Sequence, residues 1–197
     1  MKHHIHEALD ESARALARLR NDAATIAAIE AAAQALITTF STGGHVFSCG
    51  NGGSLCDAMH FSEELSGRFR RNRPGLPATA ISDPAHISCV ANDFGYDAIF
   101  SRYVESHGRK GDVLLAISTS GSSPNVLKAA QAAQERGITV IALTGKPQSP
   151  LEGHADHVIC TSGGAFSDRV QELHIKIIHI LVELVERALF PENYKII

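Results

Sequence analysis

Residues 112–124 read Asp112-Val113-Leu114-Leu115-Ala116-Ile117-Ser118-Thr119-Ser120-Gly121-Ser122-Ser123-Pro124. The unbroken apolar run that opens this stretch predicts a strand covered on both faces, the kind found in the middle of a parallel sheet. A loop rich in hydroxyl groups follows. Beyond it, an Ala-rich helix is expected from about Asn125 to Arg136, closed by Gly137. Thr139-Val140-Ile141-Ala142-Leu143 then forms a second buried strand. Strand, helix, strand is the unit from which doubly wound sheets are built.

The same unit recurs on either side. Upstream, His45-Val46-Phe47-Ser48-Cys49 reads as a strand running into Gly50-Asn51-Gly52-Gly53-Ser54. A helix follows, with Ser54 or Asp57 as its cap and Met59, Phe61 and Leu65 turned inward, until the basic segment Arg68 to Pro74 stops it. Ala78-Thr79-Ala80-Ile81 is a further strand, Asp83-Pro84 a turn or helix start, and helical segments fill Ala85 to Ala91 and Asp97 to His107. Downstream, His157-Val158-Ile159-Cys160 is a fifth strand, and Ser167 to Leu189 a long periodic helix. Two helices, Ile5 to Arg20 and Asp22 to Thr39, open the chain, separated at Asn21-Asp22, with Gly43 and Gly44 ending the second. The fold class is α/β: a doubly wound parallel sheet flanked by helices, with an N-terminal helical pair, in a single domain spanning residues 1–197.

Composition agrees with one core: 197 residues, 44% hydrophobic, exceed what a marginal domain needs and fall short of two ordinary ones. A formal charge of -3 with no basic stripe argues against nucleic acid and toward a small polar ligand. Cys49, Cys56, Cys89 and Cys160 form no CxxC pair, so neither a disulfide framework nor a zinc-thiolate centre is expected, and reducing cytoplasm is the default location. The opening MKHHIHEALDES lacks the apolar core of a signal peptide, and no uncharged apolar run of about 18 residues occurs, so no membrane role is expected. His3, His4 and His6 are expected in an exposed, frayed terminus without function.

Ligands of open α/β sheets bind beyond the carboxyl ends of the strands, where loops lead into helix N-termini. Two loops stand at such points. Gly50-Asn51-Gly52-Gly53-Ser54 permits close approach of backbone to a ligand, although an ordinary tight turn has the same composition. Ser118, Thr119, Ser120, Ser122 and Ser123 supply neutral donors for phosphate oxygens, helped by the dipole of the next helix. The alternative is a polar loop whose serines only cap that helix. Neither loop is a Walker A or a dinucleotide fingerprint.

His60 and Glu64 lie one turn apart on the helix after the first loop. Gln171, His174 and His179 form a second polar set on the otherwise apolar last helix. Any one histidine here could be a core-edge group satisfied by a hydrogen bond. Taken together, the set offers nitrogen and oxygen ligands suited to zinc, and supplies the base and carbonyl-polarising group that an aldose-ketose isomerase needs. From Gln171, His174 lies at about -60° and 4.5 Å along the helix and His179 at about +80° and 12 Å, and spacing alone does not choose between them.

SCGNGGSLCDAMHFSEELSGRF, AISDPAHISCVANDFGYDAIFSRYV, GDVLLAISTSGSSPNVLKA and RVQELHIKIIHIL together resemble the phosphoheptose isomerases of the SIS (sugar isomerase) superfamily, with the likeness running from about Ile5 to Leu189. The resemblance implies a homotetramer with active sites at subunit interfaces. It implies one zinc ion per subunit on His60, Glu64, Gln171 and His179, which leaves His174 structural. It places Asn51, Gly52, Gly53, Glu64, Asn92, Asp93, Ser118, Thr119, Ser120, Ser123 and Gln171 around the sugar phosphate, with Arg68 and Asp168 nearby as supporting groups. The reaction implied is interconversion of sedoheptulose 7-phosphate and D-glycero-D-manno-heptose 7-phosphate through an enediol, with Glu64 as base and His179 as its acid/base partner. That is the first step toward ADP- or GDP-heptose for bacterial surface glycans such as lipopolysaccharide. Leu55, Pro147-Gln148-Ser149-Pro150 and Gly163-Gly164-Ala165 depart from the family pattern and bear on loop geometry and substrate preference. The competing reading is a non-catalytic SIS protein that binds sugar phosphate or associates with a replication initiator. Such relatives lack the catalytic Glu and His that stand here as Glu64 and His179.

Overall fold

Five buried or half-buried strands form in the computed structural model, which describes residues 1–164 and 166–194. They are β1 (Val46–Gly50), β2 (Ala78–Ala80), β3 (Val113–Ser118), β4 (Thr139–Thr144) and β5 (His157–Cys160). All pair in parallel, in the order β2-β1-β3-β4-β5. β1 and β3 are buried along their whole length, as continuous apolar runs in a covered sheet should be. The chain steps outward from β1 to β2 and then returns across the sheet to β3, so the winding reverses between β1 and β3. In this register Gly50 lies opposite Ile117, so the loops leaving these two strands start side by side.

Helices cover both faces. One layer comprises α1 (Lys2–Asn21), α2 (Ala23–Ser41), α3 (Gly53–Ser66) and α7 (Ser167–Leu189). Its core joins Leu36, Phe61, Leu65, Ile177 and Leu181 to Val113, Leu115 and Ile117 of the sheet. The opposite layer, α4 (Pro84–Phe94), α5 (Ile99–His107) and α6 (Pro124–Glu135), packs Val90, Phe100, Val104, Val126 and Ala129 on Leu114 and Ala116. The alternation of β3 side chains between two cores follows from the two-residue period of a strand. α3 and α7 share one face, which brings the two helices bearing polar groups together.

Several expectations need correction. The first residues are helical, not frayed: α1 starts at Lys2, and Glu7 accepts from His4 Nδ1 at 2.8 Å and pairs with His3 Nε2 at 3.2 Å. α3 starts directly after β1, with Gly52 at its N-cap position, so Ser54 and Asp57 lie inside the helix and neither caps it. Met59 is 48% exposed because it stands about 200° around the helix from the buried Phe61. α4 runs on to Phe94, taking Asn92 and Asp93 into its last turn, and a short 3-10 turn (Tyr96–Ala98) precedes α5. α2 is long and apolar enough to span a membrane by length and composition, yet it carries Glu30 and buries Ile29, Ala32, Ala33 and Leu36 in the core.

Candidate active site

Where the winding reverses, the two loops meet. In the first, Gly52 adopts φ +57°, a conformation that favours glycine. A Cβ on Gly53 would stand 2.7 Å from Gln171 Nε2, so glycine here lets the loop meet the Gln171 amide in its present position. Asn51 exchanges two hydrogen bonds with Asn125 of α6, each 2.8 Å, and its Oδ1 also accepts from Tyr96 Oη at 3.2 Å. This amide pair ties the β1 loop to the start of α6.

The second loop gathers its hydroxyls inward. Ser118 Oγ lies 3.2 Å from Ser123 Oγ and 3.4 Å from Ser120 Oγ, and Gly121 N–H donates to Ser118 Oγ at 3.1 Å. Ser123 occupies the N-cap position of α6 without making a side-chain cap. The serines therefore face one another, contrary to a purely capping role, and present oxygens at the positive end of a helix. Directly after the Pro147–Pro150 segment, Leu151 N–H donates to Gly121 O of this loop at 3.0 Å. Ala165 of the Gly163-Gly164-Ala165 departure lies outside the described residues.

On α3 and α7, His60 Nε2 lies 3.2 Å from Glu64 Oε1 and 3.1 Å from His179 Nε2. One ligand atom from each of the three falls within 4.8 Å of the others. Zinc–nitrogen and zinc–oxygen bonds of about 2.0–2.1 Å arranged tetrahedrally separate ligand atoms by roughly 3.3 Å. Two nitrogens and one carboxylate oxygen at these spacings fit zinc or a similar cation. Burial, then the neighbouring His60, lowers the pKa of His179, which favours the neutral imidazole that a metal or a proton requires.

Asp57 stands one turn before His60 on α3. Its carboxyl is pushed up to about 6 by burial, opposed by the charge of His60, and its Oδ2 is buried without a partner among the described residues. Asp57 was expected only as a cap. Its signal lay in the spacing, since Asp57 and Glu64, seven residues apart, fall within about 20° on the helix. Asn125, also missed, carried no signal beyond its place after Pro124.

The remaining expected residues divide. Gln171 is brought against the first loop. Asn92 and Asp93 are exposed and bond to each other at 2.7 Å; the nearby Tyr96 makes the link to Asn51. Arg68 bonds to Asn72, and Asp168 accepts from the Arg169 backbone N–H; among the described residues neither hydrogen-bonds a site residue. His174 is fully buried, donates Nε2–H to Thr144 O at 3.2 Å, and is pushed down to about 4 by burial. It is a core histidine.

Residues 9–145 match the SIS domain family model. Phosphoheptose isomerase from Salmonella dublin is 60% identical over 185 residues, 94% of this chain and 96% of that one; the Enterobacter sp. phosphoheptose isomerase matches to the same extent. The structure of phosphoheptose isomerase from Neisseria gonorrhoeae superposes with a TM-score of 0.87 at 33% identity, covering 94% of this chain and 98% of that one. That from Francisella tularensis gives 0.88 at 34%, covering 93% and 96%. With the SIS domain model matched over residues 9–145 and 60% identity to a phosphoheptose isomerase over 94% of this chain, the chain belongs to the phosphoheptose isomerases of the SIS domain family.

Proposed function

We propose that this enzyme interconverts sedoheptulose 7-phosphate and D-glycero-D-manno-heptose 7-phosphate, with zinc held by His60, Glu64 and His179; Gln171, expected as a fourth ligand, has its amide at Gly53, about 12 Å along α7 from His179, and stays with the sugar chain. The convergence of His60, Glu64 and His179 between α3 and α7 is the observation that carries the reading. Ser118, Thr119, Ser120 and Ser123 bind the phosphate with neutral donors and the α6 dipole. Asn51, Gly52, Gly53, Asn92, Asp93 and Gln171 hold the sugar chain. Glu64 removes the C1 proton of the open-chain ketose, giving an enediol, and returns a proton to C2, while His179 moves the hydroxyl proton from O1 to O2. Bound zinc would supply polarisation of the carbonyl oxygen.

Further readings follow from the same family membership. Residues 1–197 constitute one SIS-type domain working in the cytoplasm as a homotetramer, in keeping with the exposed apolar side chains Ile5, Leu9 and Leu16 along α1. The product enters ADP- or GDP-heptose synthesis for surface glycans. A non-catalytic role is disfavoured by the presence of both Glu64 and His179.

The test is an NMR assay of purified protein with sedoheptulose 7-phosphate, with and without a zinc chelator. Appearance of the aldoheptose phosphate, lost on chelation and restored by zinc, is expected. Tight binding of the sugar phosphate without conversion would overturn the reading in favour of a binding protein.

A further inference from the structure

Between α3 and β2 the chain runs through an irregular segment, and its Arg73 makes five hydrogen bonds that reach both α3 and α7. Arg73 Nη2 donates to Glu64 O at 2.6 Å, and Nη1 donates to Leu65 O at 2.6 Å, Gly67 O at 3.0 Å and Pro74 O at 3.2 Å. Its Nε donates to Glu186 Oε1 of α7 at 2.8 Å, and the other oxygen of Glu186 accepts from Tyr194 Oη at 2.9 Å. Both side chains of the Arg73–Glu186 pair are completely buried.

Two placements give this pair its significance. The carbonyl that Nη2 holds belongs to Glu64 itself, at the end of α3, where the last carbonyls of a helix lack partners and a cation is favoured. Glu186 follows His179 by seven residues, which puts it about 20° short of two full turns, on the same face and about 10.5 Å further along α7. One guanidinium therefore bridges the backbone of Glu64 to the face of the helix that carries His179. The spacing of His60, Glu64 and His179 depends on the relative position of α3 and α7, and arginine's planar fork can hold carbonyls and a carboxylate together where a lysine ammonium cannot.

We propose that Arg73, anchored by Glu186, is a positioning residue that sets the α3–α7 separation at which His60, Glu64 and His179 converge. A buried ion pair is weak evidence for stability, since apolar pairs of similar volume often serve as well. Geometric control explains better why the pair ends on the Glu64 carbonyl. The proposal rests on the metal-site reading of His60, Glu64 and His179.

The experiment compares full-length wild type, Arg73→Lys and Glu186→Gln, stripped of metal and titrated with zinc in competition with a chromogenic chelator, alongside kcat, KM and Tm. For Arg73→Lys the expected result is zinc affinity weakened about tenfold or more, kcat lowered in step, and KM for the sugar phosphate nearly unchanged. Glu186→Gln keeps shape and an acceptor for Arg73, so it carries the test should the lysine variant not fold; a smaller fall in zinc affinity than for Arg73→Lys is expected. Variants that lose Tm but keep wild-type zinc affinity and kcat would overturn the proposal, reducing the pair to a structural contact. Failure of the wild type itself to bind zinc or turn over would instead count against the metal-site reading.

Discussion

His60 Nε2 and His179 Nε2 stand 3.1 Å apart although 119 residues separate them in the chain. Two ring nitrogens at that distance either share a proton or face a common cation, and Glu64 Oε1 at 3.2 Å from His60 makes the second arrangement electrostatically consistent. Replacing His179 by Ala or Glu64 by Gln is expected to lower kcat by about 10²–10⁴-fold, with far-UV circular dichroism and Tm close to wild type because neither side chain belongs to the apolar core. Turnover within about tenfold of wild type by either purified variant would remove that residue from the chemistry.

The contact between Gly53 and Gln171 separates binding from folding. A methyl group on Gly53 would stand 2.7 Å from the Gln171 amide, which is the far end of a flexible side chain and can yield. Gly53→Ala is therefore expected to fold normally while displacing Gln171, raising KM for the sugar phosphate roughly tenfold, equivalent to about 1.4 kcal/mol. Steady-state kinetics decide it: unchanged KM and kcat would show that Gln171 does not need this position.

Much of this arrangement can be read from the sequence, and the parts that cannot share one physical reason. The β3 and β4 runs announce a covered parallel sheet, and the loops at their carboxyl ends follow from strand polarity. His60 and Glu64 are legible because helical spacing is local. Asn51 with Asn125, and Arg73 with Glu186, are pairings across the fold whose partners no local period selects. Met59 looked inward by composition alone, while its angle from Phe61 places it outside.

The Asn51–Asn125 pair makes a third expectation. Asn125 is 2% exposed, and both of its amide atoms bond to Asn51 at 2.8 Å. Asn125→Leu removes both bonds and faces the Asn51 amide with an apolar group, costing roughly 1–3 kcal/mol. Urea unfolding at fixed protein concentration should show a lower midpoint, accompanied by a raised KM because the β1 loop is released. A wild-type midpoint would mean that Asn51 finds other partners without cost.

His174 imposes a pH dependence on stability that is independent of catalysis. Buried, with Thr144 O accepting from Nε2, it is held neutral with a pKa of about 4 against an ordinary 6.5. Between those values the unfolded chain binds a proton that the folded chain does not, so stability rises with pH. The contribution is complete above about pH 6.5 and is lost as pH falls toward the folded value, up to about 3 kcal/mol. His174→Gln keeps a donor for Thr144 O and removes the titration. Comparing urea midpoints from pH 7.5 to 4.5, the difference between wild type and variant should shift in favour of the variant as the solution is acidified. Parallel profiles would show that acid sensitivity arises elsewhere.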